Sequence, residues 1–149
     1  MSNLYKLFSK IITKRLTKIL DLNRPPEQAG FRSGYSTTDH LQKINQTIEK
    51  MEEFNRCLHI AFIDNTKAFD LVEHKCVLQA LADQGIQSKY TRLLAKIYNN
   101  CYAKIRIQTE GSVFKLERGV KQGDPLSPKL FTCLLENQFR KLDWEESME

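Results

Sequence analysis

Residues 57–72 read CLHIAFIDNTKAFDLV, and the predicted fold is organised around this segment. It opens with an apolar run over residues 58–63 that stops at the carboxylate of Asp64. A short run of large apolar side chains, several of them branched or aromatic, favours a buried strand over a helix. Because ligands of α/β sheets bind where strands end, we predict that Asp64 closes a central strand and faces a ligand. Taken alone, Asp64 is more typical of a helix cap or a turn residue than of a ligand-binding site.

Length and composition predict one soluble globular unit. The chain has 149 residues, of which 41% are hydrophobic, which is enough for a single core. It contains no apolar run long enough to span a membrane, and its first residues lack the apolar centre of a signal peptide. The four cysteines and three histidines have no metal-ligand spacing. These features predict an intracellular protein, cytoplasmic or nuclear, with reduced thiols and without a membrane partner.

The net charge of +5 is concentrated in two basic blocks. Residues 1–18 contain five basic residues and no acidic one, and residues 86–130 contain nine basic and three acidic residues. Such blocks are typical of proteins that bind a polyanion, with nucleic acid as the first candidate. Two solvated helix faces would give the same charge pattern.

Periodicity predicts a helix-rich chain with one small antiparallel sheet. Ser36 to Asp39 has the form of a capping box that opens a helix, and the apolar residues within 103–107 alternate with basic ones, as in a half-exposed strand. Glu110 and Gly111 turn the chain back into a second strand. The predicted helices cover residues 4–20, 36–53, 72–85, 88–98 and 130–142, and the predicted hairpin covers 103–118.

Two further segments carry side chains suited to a ligand. In Gln122-Gly123-Asp124-Pro125-Leu126-Ser127-Pro128, a glycine precedes a rigid turn, which lets the backbone approach a flat ligand closely. Gln122 offers both a donor and an acceptor to such a ligand. Arg32 lies in a loop bounded by Gly30 and Gly34, which suits contact with a phosphate backbone. A rigid connector and an ordinary loop arginine are the alternative interpretations.

Three motifs together resemble one protein family. AFIDNTKAFD (61–70), EQAGFRSGYSTTDHL (27–41) and RGVKQGDPLSPKLF (118–131) are similar to the reverse transcriptase domain of non-LTR (LINE-type) retrotransposons, in the endonuclease–reverse transcriptase group. The three motifs occur in the family's order and spacing. The resemblance implies a mixed α/β (α+β) fold, a partial right-hand polymerase. Its fingers would cover residues 1–55 and an incomplete palm residues 56–149.

The resemblance also implies roles for individual residues. Asp64 resembles the first metal-binding aspartate of the palm, where catalysis uses two Mg²⁺ ions roughly 3.5–4 Å apart. Phe69 resembles the aromatic gate that excludes a 2′-hydroxyl and so selects deoxynucleotides. Gln122 and Gly123 resemble the pair that lines the incoming nucleotide, and Arg32 sits in a motif that contacts the template. The family motif also includes Lys67, and Asp70, for which we expect a structural role as the cap of the next helix. The implied partners are an RNA template, a DNA primer and deoxynucleotides; the sequence does not determine the oligomeric state.

The chain departs from the family pattern in ways that bear on activity. Asn65 replaces the aromatic or apolar residue that usually follows the first aspartate. The family's Ala-Asp-Asp motif, which supplies the other palm carboxylates, and its Arg-Pro-Ile stretch are both missing, as are thumb and endonuclease segments. We therefore expect a fragment of an RNA-directed DNA polymerase, inactive by itself, in which Mg²⁺ binding is weakened.

Two other functions stay open at this point. One is a non-catalytic nucleic-acid-binding module that uses the basic blocks. The other is an unrelated Mg²⁺-dependent nuclease or phosphotransferase, which would need a second acidic cluster near Asp64. Asp70, Asp83 and Asp124 are the candidates for that cluster.

Overall fold

A computed structural model of the protein describes residues 2–107 and 110–142. The described elements are, in chain order, α1 (Asn3–Leu20), α2 (Thr37–Glu53), α3 (His74–Asp83), α4 (Ser88–Asn99), β1 (Tyr102–Arg106), β2 (Glu110–Lys115) and α5 (Ser127–Phe139). Their contacts divide the chain into two units, one formed by Met1–Arg24 with Lys67–Glu149 and the other by Pro25–Thr66. The mixed, helix-rich fold with a small antiparallel sheet confirms the predicted fold class.

The first unit is built around a helical core. α3 packs against both α4 and α5, and α1 packs against α5. The apolar stripes predicted from helical spacing supply the fully buried side chains, which include Leu16, Val77, Leu81, Leu94 and Leu130. Burying a leucine-sized side chain contributes about 1.5–3 kcal/mol relative to leaving it exposed, so these stripes hold the four helices together.

A buried polar contact fastens the end of α1 to α5. The Arg24 guanidinium is buried and donates a hydrogen bond of 2.6 Å to the Thr132 hydroxyl. Asp21 forms an ion pair of 3.6 Å with Arg24 and another of 3.2 Å with Lys129. A buried guanidinium is stable only when it is paired and hydrogen-bonded, and both conditions are met here.

The predicted hairpin is confirmed, but its predicted inner face is not. β1 and β2 pair antiparallel, with Tyr102 opposite Lys115 and Ala103 opposite Phe114, and the register shifts between Lys104 and Arg106. Ala103 is half-buried, whereas the side chain of Ile105 is 58% exposed. Alternation predicted that Ile105 would point into a core; a two-stranded sheet buries one face only where another element covers it.

The second unit, residues 25–66, contains α2. The predicted capping box is confirmed, because the Asp39 backbone N–H donates to the Ser36 hydroxyl at 3.3 Å and the Ser36 N–H donates to the Asp39 carboxylate at 2.9 Å. The hydrogen bond from the Ser36 backbone lowers the pKa of Asp39. No residue of 25–66 is buried, and Leu41 and Ile44 on the apolar face of α2 are exposed.

The strand predicted over residues 57–63 is wrong for the described structure. This segment has no regular secondary structure, and Phe62 is 84% exposed and Ile63 75% exposed. A strand is defined by the hydrogen bonds that a neighbouring strand supplies, and the described residues supply none to this segment. Apolar composition alone therefore does not make residues 57–63 a strand.

The role predicted for Asp70 as a helix cap is also wrong. The residue at the N-cap of α3 is Glu73, and no side chain caps that helix. Asp70 instead lies in a turn in which its backbone N–H donates to the Lys67 carbonyl at 2.9 Å, with Lys67 at a positive φ of 50°.

Gly119 combines a positive φ with a close approach of another backbone segment, so its replacement should be costly. Gly119 and Gly85 both have a positive φ, 90° and 78°, so alanine is strained at either position. A Cβ at Gly119 would lie 3.0 Å from the Asp70 carbonyl oxygen, whereas at Gly85 no atom lies within 4 Å. We expect Gly119→Ala to lower the free energy of unfolding by about 1–3 kcal/mol more than Gly85→Ala, as measured by urea denaturation. Equal losses in the two variants would contradict this close approach.

Candidate functional site

Residues 118–120 run antiparallel to residues 69–73. The Gly119 N–H donates to the Val72 carbonyl at 2.8 Å, and the Val120 N–H donates to the Phe69 carbonyl at 2.9 Å. Glu73 and Arg118 form a single β-bridge, and their side chains form an exposed ion pair of 3.3 Å. This pairing brings Phe69 beside the segment that leads into Gln122 and Gly123.

The tip of the following turn is open. Gln122 and Gly123 are both exposed. Gly123 has a φ of +75°, and no atom lies within 4 Å of the position that a Cβ would occupy. A flat ligand can therefore approach the backbone closely at Gly123, with the Gln122 amide beside it.

Asp124 holds this turn in place from within the protein. It is 5% exposed, and its carboxylate accepts hydrogen bonds from the Ser9 hydroxyl, from the Tyr5 hydroxyl at 3.2 Å and from the Leu126 N–H at 3.1 Å. Ser9 and Tyr5 belong to α1, so one carboxylate joins the turn to the first helix. The Ser127 hydroxyl closes the turn by donating to the Lys121 carbonyl at 2.7 Å.

The Tyr5 side chain interacts with both Asp124 and Lys121. Burial and the neighbouring Asp124 carboxylate together raise the pKa of Tyr5, so Tyr5 stays protonated and keeps donating its hydrogen bond. The Lys121 ammonium lies 4.4 Å from the centroid of the Tyr5 ring, within the range of a cation–π contact.

Sequence analysis missed the structural role of Asp124 and considered it only as a possible acidic cluster member. The signal was present: the Leu126 N–H bonds to the Asp124 side chain two residues earlier, which is the Asx-turn that an aspartate before proline favours. Its hydrogen bonds with Ser9 and Tyr5 join residues more than a hundred positions apart, which a local sequence pattern does not reveal.

Phe69 is half-buried and packs into the core beside the turn. Its ring lies 5.0 Å from the Phe131 ring, centroid to centroid, with the planes tilted by 34°. Together with the hydrogen bond between Val120 and the Phe69 carbonyl, this contact fixes where the Phe69 backbone and ring lie.

Arg32 and Asp64 belong to the second unit. The Arg32 guanidinium donates to the Pro25 carbonyl at 3.1 Å and lies 4.5 Å from the centroid of the Tyr35 ring. Asp64 is exposed, and the predicted strand before it is absent from the described residues. The proximity of Asp64 to Gln122 stays a prediction.

The described residues do not fit a two-metal site. Within 2–107 and 110–142, no three histidine, cysteine or acidic side chains come close enough together to hold a metal ion. Two of the other candidate carboxylates are engaged elsewhere, since Asp124 is bonded to α1 and Asp83 accepts hydrogen bonds from Gln79 at 2.7 Å and Asn137 at 3.0 Å. Mg²⁺ requires a near-octahedral set of oxygen ligands, which a single exposed carboxylate does not supply.

Comparison with known proteins identifies the family. The family model described as reverse transcriptase (RNA-dependent DNA polymerase) matches residues 1–147. The chain belongs to the reverse transcriptase family. This membership confirms the resemblance seen in the three sequence motifs and rules out the unrelated nuclease or phosphotransferase.

Relatives of this reverse transcriptase domain come from non-LTR elements. It is 30% identical over 138 residues to a Pol polyprotein from the type-1 retrotransposable element R2 of Nasonia vitripennis, and 31% identical over 137 residues to the corresponding R2 polyprotein of Popillia japonica. Each match covers 91% of this chain, but only 13% and 19% of the respective polyproteins. A probable RNA-directed DNA polymerase from transposon BS of Drosophila melanogaster is 28% identical over 89% of the chain, which spans 15% of that protein.

Reverse transcriptases act on nucleic acid and use divalent metal ions. None of the helices in the described part of this reverse transcriptase domain is long and apolar enough to cross a membrane.

Replacing Asp124 should uncouple the turn from α1. In Asp124→Ala, the buried Ser9 hydroxyl and the half-buried Tyr5 hydroxyl lose their acceptor. An unsatisfied buried polar group costs about 1–3 kcal/mol. We expect the free energy of unfolding, measured in urea, to fall by about 2–4 kcal/mol. The matched control is Asp64→Ala, an exposed aspartate, which should change it by less than about 0.5 kcal/mol. Similar effects of the two substitutions would refute the role given to Asp124.

Proposed function

We propose that this domain forms the nucleotide-facing part of a non-LTR retrotransposon reverse transcriptase that copies an RNA template from a DNA primer. In this proposal Gln122 and Gly123 line the incoming deoxynucleotide and the template base. The observation that supports this proposal is the exposed turn at Gly123, which is anchored to the protein by the buried Asp124 carboxylate. A rigid backbone with free space above it is what close packing against a flat base requires.

Phe69 is proposed as the gate that selects deoxynucleotides. Two contacts support this role. The N–H of Val120, two residues before Gln122, donates to the Phe69 carbonyl, and the Phe69 ring packs on Phe131. A ring held at a fixed distance from the sugar rejects the larger ribose because the close-packed surroundings do not yield.

Arg32 is proposed to contact the phosphate backbone of the template. Its guanidinium is pre-oriented by the Pro25 carbonyl and the Tyr35 ring, and stacking leaves further N–H groups of the planar fork to donate. Residues 1–55 would then belong to the fingers and residues 56–149 to the palm.

Asp64 is proposed as the one metal-binding carboxylate that this chain contributes, with Mg²⁺ as the metal. The remaining ligands would come from another segment, because the 149 residues contain no Ala-Asp-Asp sequence. The proposal places the working enzyme inside the cell, in the cytoplasm or nucleus, where RNA templates are found.

This chain alone should not extend a primer. Loss of one pre-positioned electrostatic group costs about 10²–10³ in rate in other enzymes, and a whole metal-binding segment should cost more. We expect no measurable deoxynucleotide incorporation on a primed RNA template with Mg²⁺ or Mn²⁺. Gel electrophoresis of a labelled primer measures the extension. Extension that Asp64→Ala abolishes would contradict this expectation.

A longer protein that restores the family's missing segments on both sides should gain activity, and Asp64→Ala should then remove it. If the longer protein folds but stays inactive while still binding nucleic acid, the polymerase assignment fails and the non-catalytic binding module is supported instead.

The gate can be tested in that longer protein. Phe69→Val removes the ring, so we expect the ratio of ribonucleotide to deoxynucleotide incorporation to rise by about tenfold or more, as one substrate contact is worth about 1–3 kcal/mol. Phe131→Leu is the matched control, because it removes the same ring–ring contact from the other side. An equal rise in both variants would mean that core packing, and not the gate, sets the selectivity.

A further inference from the structure

A cavity lies between α1 and Tyr90 of α4, and none of its lining residues belongs to the turn that carries Gln122. It has a volume of about 420 Å³ and is lined by Lys14, Arg15, Lys18, Ile19 and Tyr90. Lys18 follows Ser9 by nine residues, which is about two and a half helical turns. The lining cations therefore lie on the side of α1 opposite to the contact with Asp124 and about two turns further along the helix.

The cations of this cavity are close together and uncompensated. Lys14 and Lys18 are four residues apart on one helical face, where like charges repel. α1 contains no acidic residue, and Asp21 at its end is paired with Arg24 and Lys129. In the part of the chain that the structure describes, no carboxylate forms an ion pair with Lys14, Arg15 or Lys18. The repulsion among these three cations is therefore not offset by a carboxylate of the described residues, and a bound anion would reduce it.

α4 completes the cavity without adding negative charge. Its residues Ser88–Asn99 include three basic side chains and no acidic one. Lys89 places its ammonium 5.1 Å from the centroid of the Tyr90 ring, next to the cavity wall. Tyr90 is half-buried against the core and lines the cavity, where its phenol can donate a hydrogen bond beside the cations.

We propose that the α1–α4 cavity binds phosphate groups of a nucleic-acid strand, as a contact separate from the polymerase turn. This inference rests on the proposed function for the identity of the anion, since a reverse transcriptase handles template and primer. Three lysine and arginine side chains around one cavity, with a tyrosine donor and no acidic residue in either helix, suit a phosphodiester backbone. Such contacts carry no base specificity, so binding should be independent of sequence and sensitive to salt.

The test is the binding of a fluorescein-labelled single-stranded RNA of 20 nucleotides to the full chain, by fluorescence anisotropy across a salt series. With about three to five phosphate contacts, the slope of log affinity against log salt should be about −2 to −4. In the triple variant Lys14→Gln, Arg15→Gln, Lys18→Gln, we expect the slope to weaken by about 2 and the affinity at low salt to fall at least about tenfold.

A matched control removes the same charge elsewhere. Lys43→Gln, Lys50→Gln, Lys141→Gln changes three exposed lysines outside the cavity, and we expect the slope to change by less than about 0.7. Circular dichroism and thermal unfolding verify that both triple variants are folded. Equal losses of RNA affinity in the two triple variants would overturn the proposal, because the charge would then act only through the net field.

Two competitors identify the source of the phosphate. Inorganic phosphate at the same total phosphate concentration should not displace the RNA; full displacement would mean a free-phosphate site and would overturn the strand assignment. Binding to phosphatidylserine-containing vesicles that the cavity variant loses, with RNA binding unchanged, would overturn it in favour of a lipid surface. The assay is independent of primer extension: RNA affinity lost in the cavity variant, with a longer protein that stays inactive, supports this site and rejects the polymerase assignment.

Discussion

The buried carboxylate of Asp124 is the interaction on which the candidate site depends. It accepts hydrogen bonds from two α1 side chains and from the backbone of its own turn. A buried carboxylate without partners would be strongly destabilising. The turn can therefore bury Asp124 only while it is packed against α1. Gln122 and Gly123 owe their exposure to this arrangement, because the residue next to them is anchored inward.

The antiparallel contact between residues 69–73 and 118–120 places a second constraint on the same turn. Gly119 is needed there because its φ is positive and a Cβ would lie 3.0 Å from the Asp70 carbonyl oxygen. Two segments that are about 50 positions apart in the sequence thus meet through backbone hydrogen bonds. Phe69 and Gln122, the side chains with proposed roles, are positioned by the Asp124 carboxylate and by the close backbone contact at Gly119.

The two units differ in how much they bury. The unit formed by 1–24 and 67–149 has a helical core, whereas no residue of 25–66 is buried and the apolar segment 57–63 is exposed. Hydrophobic burial drives folding, so an amphipathic helix and an apolar segment of this kind gain most of their stability from elements that cover them. The chain covers 13% and 19% of two R2 polyproteins.

Sequence patterns alone predict the helices, the hairpin, the capping box of α2 and the family. These follow from local periodicity, local hydrogen bonds and motif order, which need no knowledge of distant contacts. The tertiary structure was needed to show that residues 57–63 are unpaired, that Ile105 is exposed and that Asp70 does not cap α3. It also showed that Asp124 is a structural anchor and that α1 and Tyr90 of α4 line a basic cavity. Strand formation, burial and charge convergence all depend on which distant residues come together, and a linear pattern does not contain that information.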